Sequence, residues 1–87
     1  MNLTQAMADV LRDLRISVEM SQVDLAKQMH QAPSTYSRKE AGDVTISVAD
    51  IYAFCGVLKT TPQDFLALVD MKLAQLREEN ELKKKYE

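Results

Sequence analysis

Apolar residues recur along this chain at spacings of three and four, and turn signals cut the recurrence into five segments. Met7, Val10, Leu11 and Leu14 share one face of a first helix expected over residues 4–16, with Thr4 as its N-cap. Val23, Leu25, Ala26 and Met29 form the stripe of a second helix running from about Gln22 to Met29. Ser21 precedes it, so its hydroxyl can accept an orphan backbone N–H, and Asp24 falls in the positive first turn. Pro33 suits the first position of a third helix, where a missing N–H costs nothing, and Gly42 can take the left-handed conformation that ends it after Ala41. The connection between the second and third helices, MHQA, is short and fits a crossed pair of helices.

After a loop from Asp43 to Ile46, Ser47-x-x-Asp50 opens a fourth helix whose buried face is expected to hold Val48, Ile51, Phe54, Cys55 and Leu58. Thr61-Pro62-Gln63-Asp64 combines an N-cap, a first-position proline and an acid in the first turn. The helix it starts meets no stop signal, and Phe65, Leu66, Val69, Leu73 and Leu76 line its apolar face. Beyond Leu76 the sequence REENELKKKYE is almost wholly charged. The expected fold is therefore all-α: a five-helix domain with an extended C-terminal helix.

Composition narrows the class. With 87 residues, 46% hydrophobic and 28% charged, the chain has enough for one modest core and is not of disordered type. No run of eighteen apolar residues and no basic-then-apolar leader is present, so neither a membrane span nor a signal peptide is expected. A single cysteine, Cys55, makes no internal disulfide and agrees with a reducing, cytoplasmic setting. It reads as a small core hydrophobe, since no second cysteine supports a thiol or metal site. His30 has no Cys, Asp or Glu at ligand spacing, and no nucleophile, base and orienter come together. With two glycines in the chain, a phosphate-cradling loop is also excluded. No enzyme activity, metal or cofactor is expected.

The third helix carries the most suggestive surface. Ser34, Thr35, Ser37 and Arg38 make a small polar face with one cation. Short hydroxyls let a backbone approach a nucleic-acid groove, and one arginine can make the bidentate contact to guanine O6 and N7. The same residues also suit an ordinary solvated helix face. Charge gives no global field to decide between them: net charge is −2, with pI about 5.3. Up to Lys59, six basic residues (Arg12, Arg15, Lys27, Arg38, Lys39 and Lys59) face seven acidic ones. Affinity for nucleic acid would have to come from local clustering and backbone N–H groups.

The order of several residues decides it. Arg15 is followed by Ser21-Gln22 opening the second helix with Leu25-Ala26 inside it. Then come Ser37-x-x-Glu40-x-Gly42, Ser47 before the fourth helix, and the run Leu58, Thr61-Pro62, Leu66. Together, from about Met7 to Leu66, these resemble the Cro/repressor-type helix-turn-helix family, the xenobiotic-response-element group. The resemblance implies a repressor-like domain over residues 1–66, with residues 62–87 as a continuous extended helix. It puts Gln22 on a DNA phosphate, Pro33, Ser34 and Arg38 at base edges with Ser37 close by, and Thr35 on the backbone. It pairs Arg15 with Glu40 and assigns the Tyr36 ring to the contact between helices. Glu19, His30 and Lys59 stand where the family usually has glycine, Lys39 replaces a commonly apolar residue whose stem must snorkel, and Asp43 stands where basic residues often grip the backbone.

What this implies is a sequence-specific double-stranded-DNA-binding regulator, a repressor by occupancy, in a bacterial or phage cytoplasm. Leu66, Val69, Leu73, Leu76 and Asn80 fall at alternating spacings of three and four, a heptad seam with Asn80 at an a-type position. With Phe65, this seam is the expected homodimer interface, the alternative being that the stripe packs on its own domain. In a parallel pair Glu79 would lie near Lys84, while Lys72 would lie unfavourably near Arg77. Two rivals remain: an antitoxin-like protein whose last helix engages a toxin, and a protein-binding module that has lost DNA.

Overall fold

The computed structural model describes the backbone of residues 2–86 and the side chains of residues 2–79. Five helices and no strands are found among the described residues: α1 (Leu3–Ser17), α2 (Gln22–Gln28), α3 (Pro33–Glu40), α4 (Val48–Val57) and α5 (Pro62–Tyr86). The first helix starts one residue before the expected start, because Asn2 rather than Thr4 caps it, its Oδ1 accepting the Gln5 N–H at 2.8 Å. Ser21, Ser47 and Thr61 each accept the backbone N–H three residues on, at 3.0, 3.0 and 3.1 Å. At α4 the Asp50 carboxylate also accepts the Ser47 N–H, closing a capping box.

The first four helices stop in the same way. The N–H two residues past each C-cap reaches back to the carbonyl five residues earlier: Met20 to Arg15, Gln31 to Ala26, Asp43 to Arg38 and Thr60 to Cys55. That 6→1 bond needs the residue between to adopt positive φ. Gly42 does so at 82°, but Glu19, His30 and Lys59 do so at 56°, 59° and 57°. Each non-glycine there opposes the fold by roughly 1 kcal/mol. Gly42 is needed for a second reason: a Cβ on it would lie 2.5 Å from Gln5 Oε1, whose side chain is held by a bond from Nε2 to Asp9.

The core gathers Ala6, Met7, Val10 and Leu11 of α1, Leu25 and Ala26 of α2 with Met29 after it, and Tyr36 of α3. Ile46 of the loop, Ile51, Phe54 and Cys55 of α4 with Leu58 after it, and Phe65 and Val69 of α5 complete it. Phe54 and Phe65 meet edge to face, ring centroids 4.9 Å apart and planes at 67°. Phe65 and Val69, expected in a contact between copies, are instead spent on the chain's own core, 0% and 1% exposed. A surface that α1 and α4 already cover is closed to a second molecule. Leu73 also packs against this core, whereas Leu66 is exposed. The Asn80 side chain and the Glu79–Lys84 pairing lie outside the described residues.

Two valines depart from the expected stripes. Val23 and Val48 are both exposed. Each stands in the first turn of a helix; at α4 it is Asp50, with its polar partners, that takes the inward position. Among the described residues no helix is long and apolar enough to cross a membrane.

Candidate nucleic-acid interface

Two helices build the surface that concerns Gln22 and Arg38. α2 packs on α3, and α3 packs in turn on α1. α3 buries Tyr36 and Glu40 and leaves Pro33, Ser34, Thr35 and Arg38 exposed, with Ser37 half-buried. At roughly 100° per residue, Arg38 points about 180° away from the midpoint of Tyr36 and Glu40. Its guanidinium therefore stands at the crest of the outward face, flanked by Ser34 and Thr35.

Beneath this face lies a fully occupied carboxylate. Arg15 donates to Glu40 from both Nε (2.9 Å, to Oε2) and Nη2 (2.7 Å, to Oε1), and its Nη1 donates to the Met20 carbonyl at 2.7 Å. The Tyr36 hydroxyl donates to Glu40 Oε2, and Gln22 Nε2 donates to Oε1 at 3.0 Å. One carboxylate thus joins the end of α1, the start of α2 and the end of α3. The Arg15 side chain is 13% exposed and that of Glu40 3%, so the pair is shielded from solvent screening. Resemblance had paired Arg15 with Glu40, but nothing in the sequence pointed to Tyr36 or Gln22 as further partners of the same carboxylate.

A second buried acid ties the turn after α2 to α4. Asp50 Oδ1 accepts from Gln31 Nε2 at 2.8 Å and from Lys39 Nζ at 2.9 Å. Lys39 therefore does not snorkel to water; an acid on the neighbouring helix receives its ammonium. This connection also withdraws one cation from the outward face of α3. Gln31 Oε1 is buried without a hydrogen-bond partner, and its amide cannot be reversed without setting that oxygen against Asp50.

Burial alone would raise the pKa values of Glu40 and Asp50, but the donors outweigh it. Arg15, Tyr36 and Gln22 hold Glu40 below the ordinary 4.5. The Ser47 N–H, Lys39 and Gln31 hold Asp50 below the ordinary 3.8. Tyr36 moves the other way, since burial and then the adjoining carboxylate disfavour its phenolate. Arg15 is raised, chiefly by its bonds to Glu40. Burial also raises the Cys55 thiol, as befits a core residue.

A folded-state pKa below the unfolded one gives stability that is complete above the unfolded pKa and lost as pH falls through the folded one. The melting temperature should therefore hold steady from pH 7 to 5 and fall once pH drops below about 4.5 and 3.8, the ordinary values of the two acids. A circular-dichroism melt series down to pH 2.5 checks this; an unchanged melting temperature throughout would mean that neither carboxylate is held by its donors.

Among the described residues no group of three or more His, Cys, Asp or Glu is placed to hold a metal ion. Residues 6–68 match the helix-turn-helix domain family. Among solved structures, the clp gene regulator ClgR from Corynebacterium glutamicum superposes with a TM-score of 0.91 at 21% identity, covering 97% of this chain and 89% of that one. A second ClgR structure gives 0.76 at 23% identity, over 80% and 91% of the two chains. The restriction-modification controller protein C.AhdI from Aeromonas hydrophila gives 0.67 at 24% identity, over 71% and 94%. At these identities the likeness is one of fold. No curated protein matches the sequence.

Proposed function

The chain belongs to the helix-turn-helix domain family, and on that premise we propose that it is a sequence-specific regulator of transcription that binds double-stranded DNA. One observation carries the reading: the exposed row Pro33, Ser34, Thr35 and Arg38 on α3, with Arg38 at its crest. Small side chains let this helix enter a major groove closely, and Arg38 then reaches guanine O6 and N7. Ser34 and Ser37 lie beside it at base edges. Pro33 offers only apolar contact, and Thr35 meets the backbone. Gln22, at the start of α2, takes a phosphate. The regulator acts by occupancy, as a repressor, in the cytoplasm.

A two-fold operator requires two copies, with their α3 helices about 34 Å apart along the duplex. α5 is the element proposed to join them. Its exposed Leu66, with Leu73, Leu76 and Asn80 of the heptad seam, remains as the contact once Phe65 and Val69 are assigned to the core. Leu68 and Met71 are also exposed on α5, which favours a second reading in which this helix engages a different protein while the same domain holds DNA.

Selection of bound duplexes from a random library at low salt tests the proposal, and recovery of no preferred sequence would sink it. On the selected site, Arg38→Ala should relax preference at one base pair at a cost of about 1–3 kcal/mol. Gln22→Ala should weaken selected and scrambled duplexes together. Equal losses on both duplexes for both variants would show that the roles of α2 and α3 are misassigned.

A further inference from the structure

We propose that the Tyr36 hydroxyl, acting through Glu40, positions the Gln22 side chain for its phosphate contact, an inference that rests on the DNA-binding reading above. Tyr36 cannot touch DNA itself, because its side chain is fully buried. Its hydroxyl donates to Oε2 of Glu40, four residues on in the same helix. The other oxygen, Oε1, receives Gln22 Nε2.

The chain of bonds determines how the amide faces. Were Gln22 reversed, its carbonyl oxygen would meet the Glu40 carboxylate, two acceptors with no proton between them. Gln22 is thus held with one N–H on Glu40 and the second N–H unused, on a half-buried side chain at the start of α2. A glutamine free in solution samples many rotamers and must be immobilised on binding; one already tied to a fixed carboxylate has lost most of that freedom beforehand. Glu40 serves as an anchor only while it is itself fixed. Arg15 fixes it from α1 with two bonds, and Tyr36 adds a third from within α3. Arg15 also cancels the negative charge that would otherwise lie beneath an incoming phosphate. The tyrosine is the separable member of this arrangement, since Tyr36→Phe removes only the hydroxyl and leaves the core ring and the ion pair in place.

The test is a double-mutant cycle on DNA affinity, using fluorescence anisotropy with a duplex from the random-library selection and a scrambled duplex of equal length. Tyr36→Phe should weaken binding to both duplexes by about 3–10-fold in the Gln22 background. It should change binding by less than about twofold when Gln22 is already alanine. The slope of log affinity against log salt should stay the same, because no charge is altered. Equal weakening with and without Gln22, or tighter binding of Tyr36→Phe, would overturn the proposal; the second result would mean that Glu40 withholds Gln22 from DNA. If Gln22→Ala alone leaves affinity unchanged on both duplexes, the phosphate role of Gln22 fails, and this inference fails with it. If Arg38→Ala still loses its base preference in that case, the DNA-binding reading survives. A further measurement needs no variant: nitrogen relaxation of the Gln22 side-chain amide in the intact protein should report order close to that of the backbone. Free averaging of that amide would equally overturn the proposal.

Discussion

Arg15→Ala is expected to lower the stability of the folded domain by about 3–5 kcal/mol, because it leaves a buried carboxylate with half of its donors. Glu40 would keep the Tyr36 hydroxyl and the Gln22 amide, but no counter-charge. Set against the 5–15 kcal/mol typical of a small domain, such a loss removes a substantial part of the total stability. Glu40→Ala should cost less, since Arg15 is nearer solvent and retains the Met20 carbonyl. The double change should cost less than the sum of the two, as neither charge is then stranded. Urea unfolding followed by circular dichroism measures all three. If Arg15→Ala shifts stability by no more than about 0.5 kcal/mol, the pair contributes no more than an exposed surface ion pair would.

That pair also marks how far the sequence could be read. Caps are local, so Ser21, Ser47 and Thr61 announce themselves by the acids and prolines that follow them. Asn2 was hidden by Thr4, a residue of the same capping type two places on. The core of α1 and most of α4 follows from helical spacing, because a stripe of apolar residues must be covered by something. What covers it is a separate matter. Phe65 and Val69 satisfy a heptad seam and an intramolecular stripe equally well, and spacing along one helix cannot say which neighbour arrives.

Contacts between helices were less legible still. Lys39 and Asp50 are eleven residues apart on different helices, and each alone looks like a surface charge; only the folded chain brings them to 2.9 Å. Positive φ at Glu19, His30 and Lys59 left no chemical mark in the residues themselves, and only the resemblance pointed to left-handed positions there. The outward face of α3 was the most readable portion of the candidate site, because exposure opposite a buried pair follows from helix geometry alone. The Glu40 hub was the least readable: four donors from three helices converge on one carboxylate.

Phe65→Ala should destabilise the fold of the single chain rather than merely weaken a contact between copies. The ring is fully buried and packed edge to face on Phe54, so its removal forfeits the transfer energy of a large side chain and leaves a cavity between α4 and α5. Phenylalanine-to-alanine changes in cores cost about 3–5 kcal/mol, and a domain of this size has little surrounding structure with which to collapse around the gap. The expected record is a melting transition lowered by many degrees at every protein concentration. Leu66→Asp gives the contrast, since Leu66 is one turn from the same core but 46% exposed. It should leave the dilute melt nearly unchanged and shift sedimentation at micromolar concentration towards the monomer if α5 joins two copies. A Phe65→Ala protein that melts like the parent and sediments as a folded monomer would move Phe65 from the core to the contact between copies. The heptad seam would then run from Phe65 through Leu76, and the coverage of that stripe by α1 and α4 would have to be abandoned.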